Sequence, residues 1–185
     1  WCEDQDFFRF SGIYRDVYLY AIPEVHVSDV KIQTLLDDTF TKADLVIDTK
    51  ATKAGKVKIT LSKDGKKLQS VEETLAEESQ YVMKVENPEL WSAESPVLYD
   101  LLLEVMDENG QVTEVIPQRV GFRRFEMKDS IMMLNGKRIV FKGVNRHEHN
   151  DSLGHTQTRE IIMNDLRLIK QLNMNAVRTS HYPNH

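Results

Sequence analysis

Strict alternation is the clearest pattern along this chain. Val57, Ile59 and Leu61 take every second position, with Lys56, Lys58 and Thr60 between them. That period puts the apolar side chains on one face of an extended strand and the polar ones on the other. Stretches of similar character, rich in β-branched and aromatic residues, recur over 25–35, 42–51, 56–62, 67–75, 80–85, 98–106 and 112–120. Asp64-Gly65 and Asn109-Gly110 each predict a tight hairpin turn. Seven short strands without helical period predict a two-sheet sandwich of immunoglobulin type, though without the paired cysteines of antibody domains. Trp91, in Asn87-Pro88-Glu89-Leu90-Trp91, is expected to pack near a sandwich edge.

The flanks follow different patterns. Residues 12–20 have strand composition and are closed by Pro23. One strand cannot make a domain, so it is expected to be the last strand of another one. Beyond 125, residues 131–134, Asn135-Gly136 and 138–141 predict a hairpin. Residues 158–172 have helical period, with Ile162, Leu166 and Ile169 on one face, Thr158 as N-cap, and Asn173 or Asn175 as the stop. Ala176-Val177 opens a further short buried strand. Strand, helix and strand make one βαβ unit with a parallel pair. A closed eightfold barrel needs about 250 residues, so only its first quarter fits. The expected fold is mainly β, divided at 1–23, 24–124 and 125–185. A lone βαβ unit leaves apolar faces and strand edges open, so residues beyond 125 are expected to be mobile, rearranged or covered by another chain. The chain opens on Trp1 without a Met and stops at His185, inside a polar run, which reads as a piece of a larger enzyme.

Composition narrows the function. The 185 residues are 41% hydrophobic and 29% charged, ordinary for a globular chain. No run is long enough to span a membrane, and no leader pattern is visible. The net charge of −5, with no basic stripe, argues against nucleic acid as a partner. Cys2 is the only cysteine and cannot form an internal disulfide, which fits a reducing, cytoplasmic location. No phosphate loop or nucleophile elbow is present, and Cys2 has no partner as a catalytic thiol.

Candidate chemistry gathers after the last two strands. His147-Glu148-His149 places both imidazoles on one side of an extended segment, with Glu148 on the other. Three readings stay open: two ligands of one metal in a metal-dependent hydrolase, hydrogen-bonding groups for a polar substrate, or structural histidines. Arg178 and His181 follow the next strand. Barrel active sites lie at the C-terminal strand ends, so His147 and His181 would share one rim. The alternative is that Arg178 pairs with a buried carboxylate and His181 caps a loop. Asp4 and Asp6 read either as a solvated turn or as carboxylates that bind sugar hydroxyls or a cation. A non-catalytic sandwich acting as a binding or spacer module is the reading from a different class, but a spacer needs no barrel strand.

Asn175-Ala176-Val177-Arg178-Thr179-Ser180-His181-Tyr182-Pro183 resembles the first half of the signature of glycoside hydrolase family 2. Gly143-Val144-Asn145-Arg146-His147-Glu148-His149 is similar to the first barrel strand of its large bacterial β-galactosidases. Ser11-Gly12-Ile13-Tyr14-Arg15-Asp16-Val17 resembles the end of their jelly roll, while Asn87–Ser92 and Val120-Gly121-Phe122-Arg123 resemble sandwich landmarks. The resemblance covers essentially the whole chain in the family's order. It implies the end of a sugar-binding jelly roll, a complete sandwich and the beginning of a catalytic (β/α)8 barrel. It further implies that Asp6, His147 and His181 bind the galactosyl unit, Asp6 together with a monovalent cation, and that Arg178 supports the nucleophile. Asn150 departs from a histidine in the family pattern and is assigned nothing. The family is retaining, with two carboxyl groups about 5 Å apart. Neither of its catalytic glutamates has a counterpart here, so the chain alone is expected to be inactive. The parent enzyme is expected to use Mg2+ and Na+, to act on terminal β-D-galactosyl residues and to form a homo-oligomer.

Overall fold

A computed structural model describes residues 12–185, which form two compact units, residues 21–140 and residues 12–20 with 141–185. In the first, seven strands run β1 Val27–Leu36, β2 Lys42–Ala51, β3 Gly55–Lys63, β4 Lys66–Leu75, β5 Glu78–Glu86, β6 Tyr99–Met106 and β7 Val112–Val120. They pair antiparallel into a three-stranded sheet, β1-β2-β5, and a four-stranded sheet, β4-β3-β6-β7. Alternation decides what each buries. Val57, Ile59 and Leu61 of β3 and Tyr99, Leu101, Leu103 and Val105 of β6 face Leu45, Ile47, Tyr81 and Met83 in one apolar core. Both edges of the larger sheet are blunted. Pro117 sits in β7, where its missing N–H costs no ladder bond on the open side. β4 exposes Lys66, Lys67, Glu72 and Glu73.

The turns differ in instructive ways. Asp64 (φ 50°) and Gly65 (φ 75°) make the tight turn between β3 and β4 that their identities predict. The β6–β7 connection turns where Asn109-Gly110 predicts: the Gly110 amide donates to the Asp107 carbonyl at 3.0 Å, and Gly110 takes positive φ (79°). The Asp107 carboxylate accepts bonds from the Asn109 and Gln111 amides, each at 2.9 Å, and the Asp107 amide donates to the Gln111 carbonyl at 3.0 Å. This turn spans three residues where the Asp64-Gly65 turn spans two, and the ladder slips between Val105 and Met106.

A small sheet completes this unit, with β8 Phe125–Lys128, β9 Ile131–Leu134 and β10 Lys137–Arg138 in the order β10-β9-β8. Asn135 and Gly136 (φ 50° and 73°) form the β9–β10 turn. Asn135 does more than turn the chain: its Oδ1 accepts from the Arg124 amide at 2.9 Å and its Nδ2 donates to the Trp91 carbonyl at 3.0 Å. Trp91 in turn donates its amide to the Phe122 carbonyl at 2.9 Å and lies under the Arg123 guanidinium, 4.5 Å from its ring centre. β8 escaped the sequence reading because Asp129 and Ser130 turn the chain at positive φ (50° and 62°) with no glycine to announce it.

In the second unit, β11 Gly143–Arg146 and β12 Ala176–Thr179 pair in parallel across helix α1 Arg159–Gln171, which is the expected βαβ unit. Thr158 caps the helix, its Oγ1 accepting from the Ile161 amide at 3.3 Å. Glu160 in the first turn and Lys170 in the last suit the helix dipole. Asn173 ends it at φ 58°. Asn175 instead extends the ladder, exchanging bonds with Lys142. No residue of α1 is fully buried, and Leu166 and Leu168 are exposed. Residues 12–20 are not a regular strand: among the described residues no ladder partner is offered to them, and Ile13, Val17 and Leu19 stay exposed. A strand without a neighbour has no bonds to define it.

Leu103, fully buried between sheets, should be costly to truncate. Leu103→Ala is expected to destabilise the chain by about 2–5 kcal/mol in urea unfolding. Asp37, in the β1–β2 turn, has its carboxyl held below the ordinary range, first by the Thr39 hydroxyl (2.5 Å), which outweighs the opposing effect of desolvation, and then by the Lys42 and Thr41 amides and the Lys42 charge. A lowered folded value means this contribution is complete above the ordinary carboxylate range and fades as pH falls through the folded value. Asp37→Asn is therefore expected to lower the melting temperature at neutral pH and to flatten its fall in acid.

Candidate active site

The site grows from the parallel ladder. Gly143 pairs with Ala176, Val144 with Val177, Asn145 with Arg178 and Arg146 with Thr179. The Ser180 amide adds one more bond to the Arg146 carbonyl, 3.1 Å. Both strands end at the same level, so the residues that follow emerge side by side. A Cβ at Gly143 would lie 2.2 Å from the Ala176 carbonyl oxygen, so only glycine permits this approach.

His147 and His181 are brought together, as the pattern predicts. Their rings meet edge to face with centroids 5.4 Å apart, and the Tyr182 ring lies 6.1 Å from that of His147. His181 is exposed and His147 half-buried. Arg178 is exposed and donates to Asn145 Oδ1 at 3.5 Å, its ladder neighbour. Asp6 and Asp4, the remaining carboxylate candidates, lie outside the described residues.

The expectation that His147 and His149 lie within an extended strand needs correction, while buried Glu148 between them keeps the expected alternation. β11 stops at Arg146, and the two imidazoles take different neighbours, His149 lying 6.4 Å from His155. Past the end of the ladder, the Glu148 amide donates to the Tyr182 hydroxyl at 2.8 Å. Among the described residues, no group of three or more His, Cys, Asp or Glu side chains is gathered to hold a metal.

Glu148 is the residue the sequence undervalued. Expected only to point away from the histidines, it is 2% exposed. Its carboxylate accepts from the His185 amide at 2.8 Å and from Arg15 Nη2 at 3.4 Å, with Arg146 Nη1 3.6 Å away. Arg146 is buried too, and it reaches the Asp165 carboxylate on α1 at 2.9 Å and Gln157 Oε1 at 3.4 Å. Buried charges persist only when paired and hydrogen-bonded in this way. Asp165 gave a usable hint: it sits beside Ile162, Leu166 and Ile169 on the helix, an odd place for a carboxylate without a partner.

A rim with two clustered imidazoles and an arginine can donate and accept several hydrogen bonds at once, which suits a polyhydroxyl ligand. Residues 25–123 match Glycosyl hydrolases family 2, and residues 125–185 match Glycosyl hydrolases family 2, TIM barrel domain. The chain belongs to glycosyl hydrolase family 2, and the sandwich and barrel strands described above are its parts. Among individual relatives, it is 48% identical over its full length to a β-galactosidase of Halalkalibacterium halodurans and 50% identical to one of Streptococcus thermophilus. It spans 19% and 18% of those proteins, about a fifth of their length. Among solved structures it resembles Bacteroides uniformis β-glucuronidase 3, with a TM-score of 0.87 and 30% identity over 97% of this chain and 23% of that one. A β-glucuronidase of Parabacteroides merdae follows at TM-score 0.77 and 27% identity, over 88% and 21%. No helix among the described residues is long and apolar enough to cross a membrane.

Gly143→Ala should separate the two rim strands. The expected result is loss of amide-exchange protection at Arg146 and Ser180, with the sandwich amides unchanged.

Proposed function

We propose that this chain supplies the sugar-facing rim of a retaining β-galactosidase whose active polypeptide is longer than these 185 residues. The observation that carries the reading is the 5.4 Å meeting of His147 and His181 at the shared end of two parallel strands. Identity of 48–50% with β-galactosidases, against 27–30% with the β-glucuronidases, favours galactose over glucuronic acid.

In this reading His147, His181 and Asp6 hold the galactosyl unit. Such bonds gain value as the ring flattens toward an oxocarbenium-like transition state. Arg178 keeps the neighbouring nucleophilic carboxylate ionised, since an opposite charge within a few ångströms lowers its pKa. Retaining hydrolysis needs two carboxyl groups about 5 Å apart. Glu148 supplies neither, because Arg15, Arg146 and the His185 amide already hold it. The chain alone is therefore inactive in this proposal. The parent enzyme would use Mg2+, with its ligands mostly outside this sequence. Asp6 would bind the Na+. A homo-oligomeric, cytoplasmic parent is part of the same proposal; the lone Cys2 fits a reducing compartment and does not bear on assembly.

The test is a chimera in which these 185 residues replace the matching stretch of the Streptococcus thermophilus β-galactosidase. It is expected to cleave an aryl β-galactoside with retention and to leave an aryl β-glucuronide intact, while the isolated chain cleaves neither. His147→Ala in the chimera should cost about 1–3 kcal/mol of transition-state binding in kcat/KM, the scale of a buried group left unpaired. A chimera that cleaves only the glucuronide, or a His147→Ala variant with unchanged kinetics, would overturn the assignment.

A further inference from the structure

We propose that Glu148 and Tyr182 are positioning residues that couple the two histidine loops into one rigid rim. Its catalytic meaning rests on the β-galactosidase reading, but the coupling itself does not. The Tyr182 hydroxyl accepts from the Glu148 amide at 2.8 Å and donates back to the Glu148 carbonyl at 3.4 Å. One side-chain oxygen therefore bonds both backbone groups of the residue beside His147, and it belongs to the residue beside His181. The Glu148 carbonyl also receives His155 Nδ1 at 2.7 Å. Its carboxylate is held by Arg146 from the end of β11, by the His185 amide and by Arg15. Arg15 also donates to the Pro183 carbonyl, so one guanidinium touches both loops.

The consequence follows from connectivity. Glu148 is fixed at its amide, its carbonyl and its carboxylate, which leaves the adjoining His147 little freedom. Tyr182 is fixed by the same bonds, which constrains His181. Neither residue need touch substrate. A site held to within about half an ångström depends on such support, and about 1 Å of misplacement can cost on the order of a hundredfold in rate. Burial makes the arrangement all-or-none, because removing one partner strands a charge or an amide away from water.

The coupling is read in the 185-residue chain by NMR, as the cross-peak between the His147 and His181 ring protons. Tyr182→Phe keeps the ring and removes only the bridging oxygen. It is expected to weaken that cross-peak severalfold while the methyl signals of Ile59 and Leu103 stay native. Glu148→Gln, which keeps size and one acceptor, is the second variant and should weaken it as well. In the active chimera, Tyr182→Phe is expected to lower kcat per folded molecule by about ten- to a hundredfold, with KM changing less than about threefold. An unchanged cross-peak in both variants, or an unchanged kcat in the chimera, overturns the coupling. An inactive parent chimera would count against the β-galactosidase reading alone, and the NMR result would still decide whether the loops are coupled.

Discussion

Both units of this chain depend on one constraint, the period-two geometry of extended backbone. In the sandwich it sorts Val57, Ile59 and Leu61 to the interior and their lysine neighbours to water, and it does so on β6 as well. Burying each such side chain contributes on the order of 1.5–3 kcal/mol, so register is fixed by the core itself. At the βαβ unit the same geometry acts through pairing. Four residues of β11 lie level with four of β12, which sets Arg146 against Thr179 and lets the next residues of both strands leave together. The rim exists because two short strands end in register.

Much of the architecture was legible because it is local. The seven sandwich strands declare themselves by alternation, and the helix by its cap at Thr158 and its stop at Asn173. The meeting of His147 with His181 was legible for a different reason, since parallel strands of a barrel share one end. What stayed hidden depends on partners far along the chain. Glu148 reads as an idle carboxylate until Arg15, 133 residues away, closes on it. Tyr182 looks like a motif residue without a job until its hydroxyl is seen between loops. The Asn109-Gly110 turn was legible, but the part its Asp107 carboxylate plays in closing it was not. The turn at Asp129-Ser130 was invisible because it uses residues that tolerate positive φ without advertising it.

The rim therefore combines two kinds of order. Its outer groups, His181 and Arg178, are exposed and can meet a ligand. Behind them Arg146 and Glu148 are nearly sequestered and fully engaged with each other, with α1 and with the following loop. Ion pairs of this kind add little net stability compared with apolar packing, but they penalise every alternative arrangement of the loops. That suits a surface whose value lies in where its imidazoles stand.

The Asn135-Gly136 turn carries a liability of another sort. Asparagine before glycine is the sequence most prone to spontaneous deamidation, a slow chemical ageing that converts the amide to a carboxylate. At Asn135 the amide is held by Trp91 and Arg124 in a half-buried turn, which hinders the attack by the next backbone nitrogen. Should it occur, the new carboxylate would face the Trp91 carbonyl with no proton to offer. Asn109, exposed in the β6–β7 turn, has no such burial around it, so an old preparation would gain its first negative charge there and keep its Trp91 anchor longest.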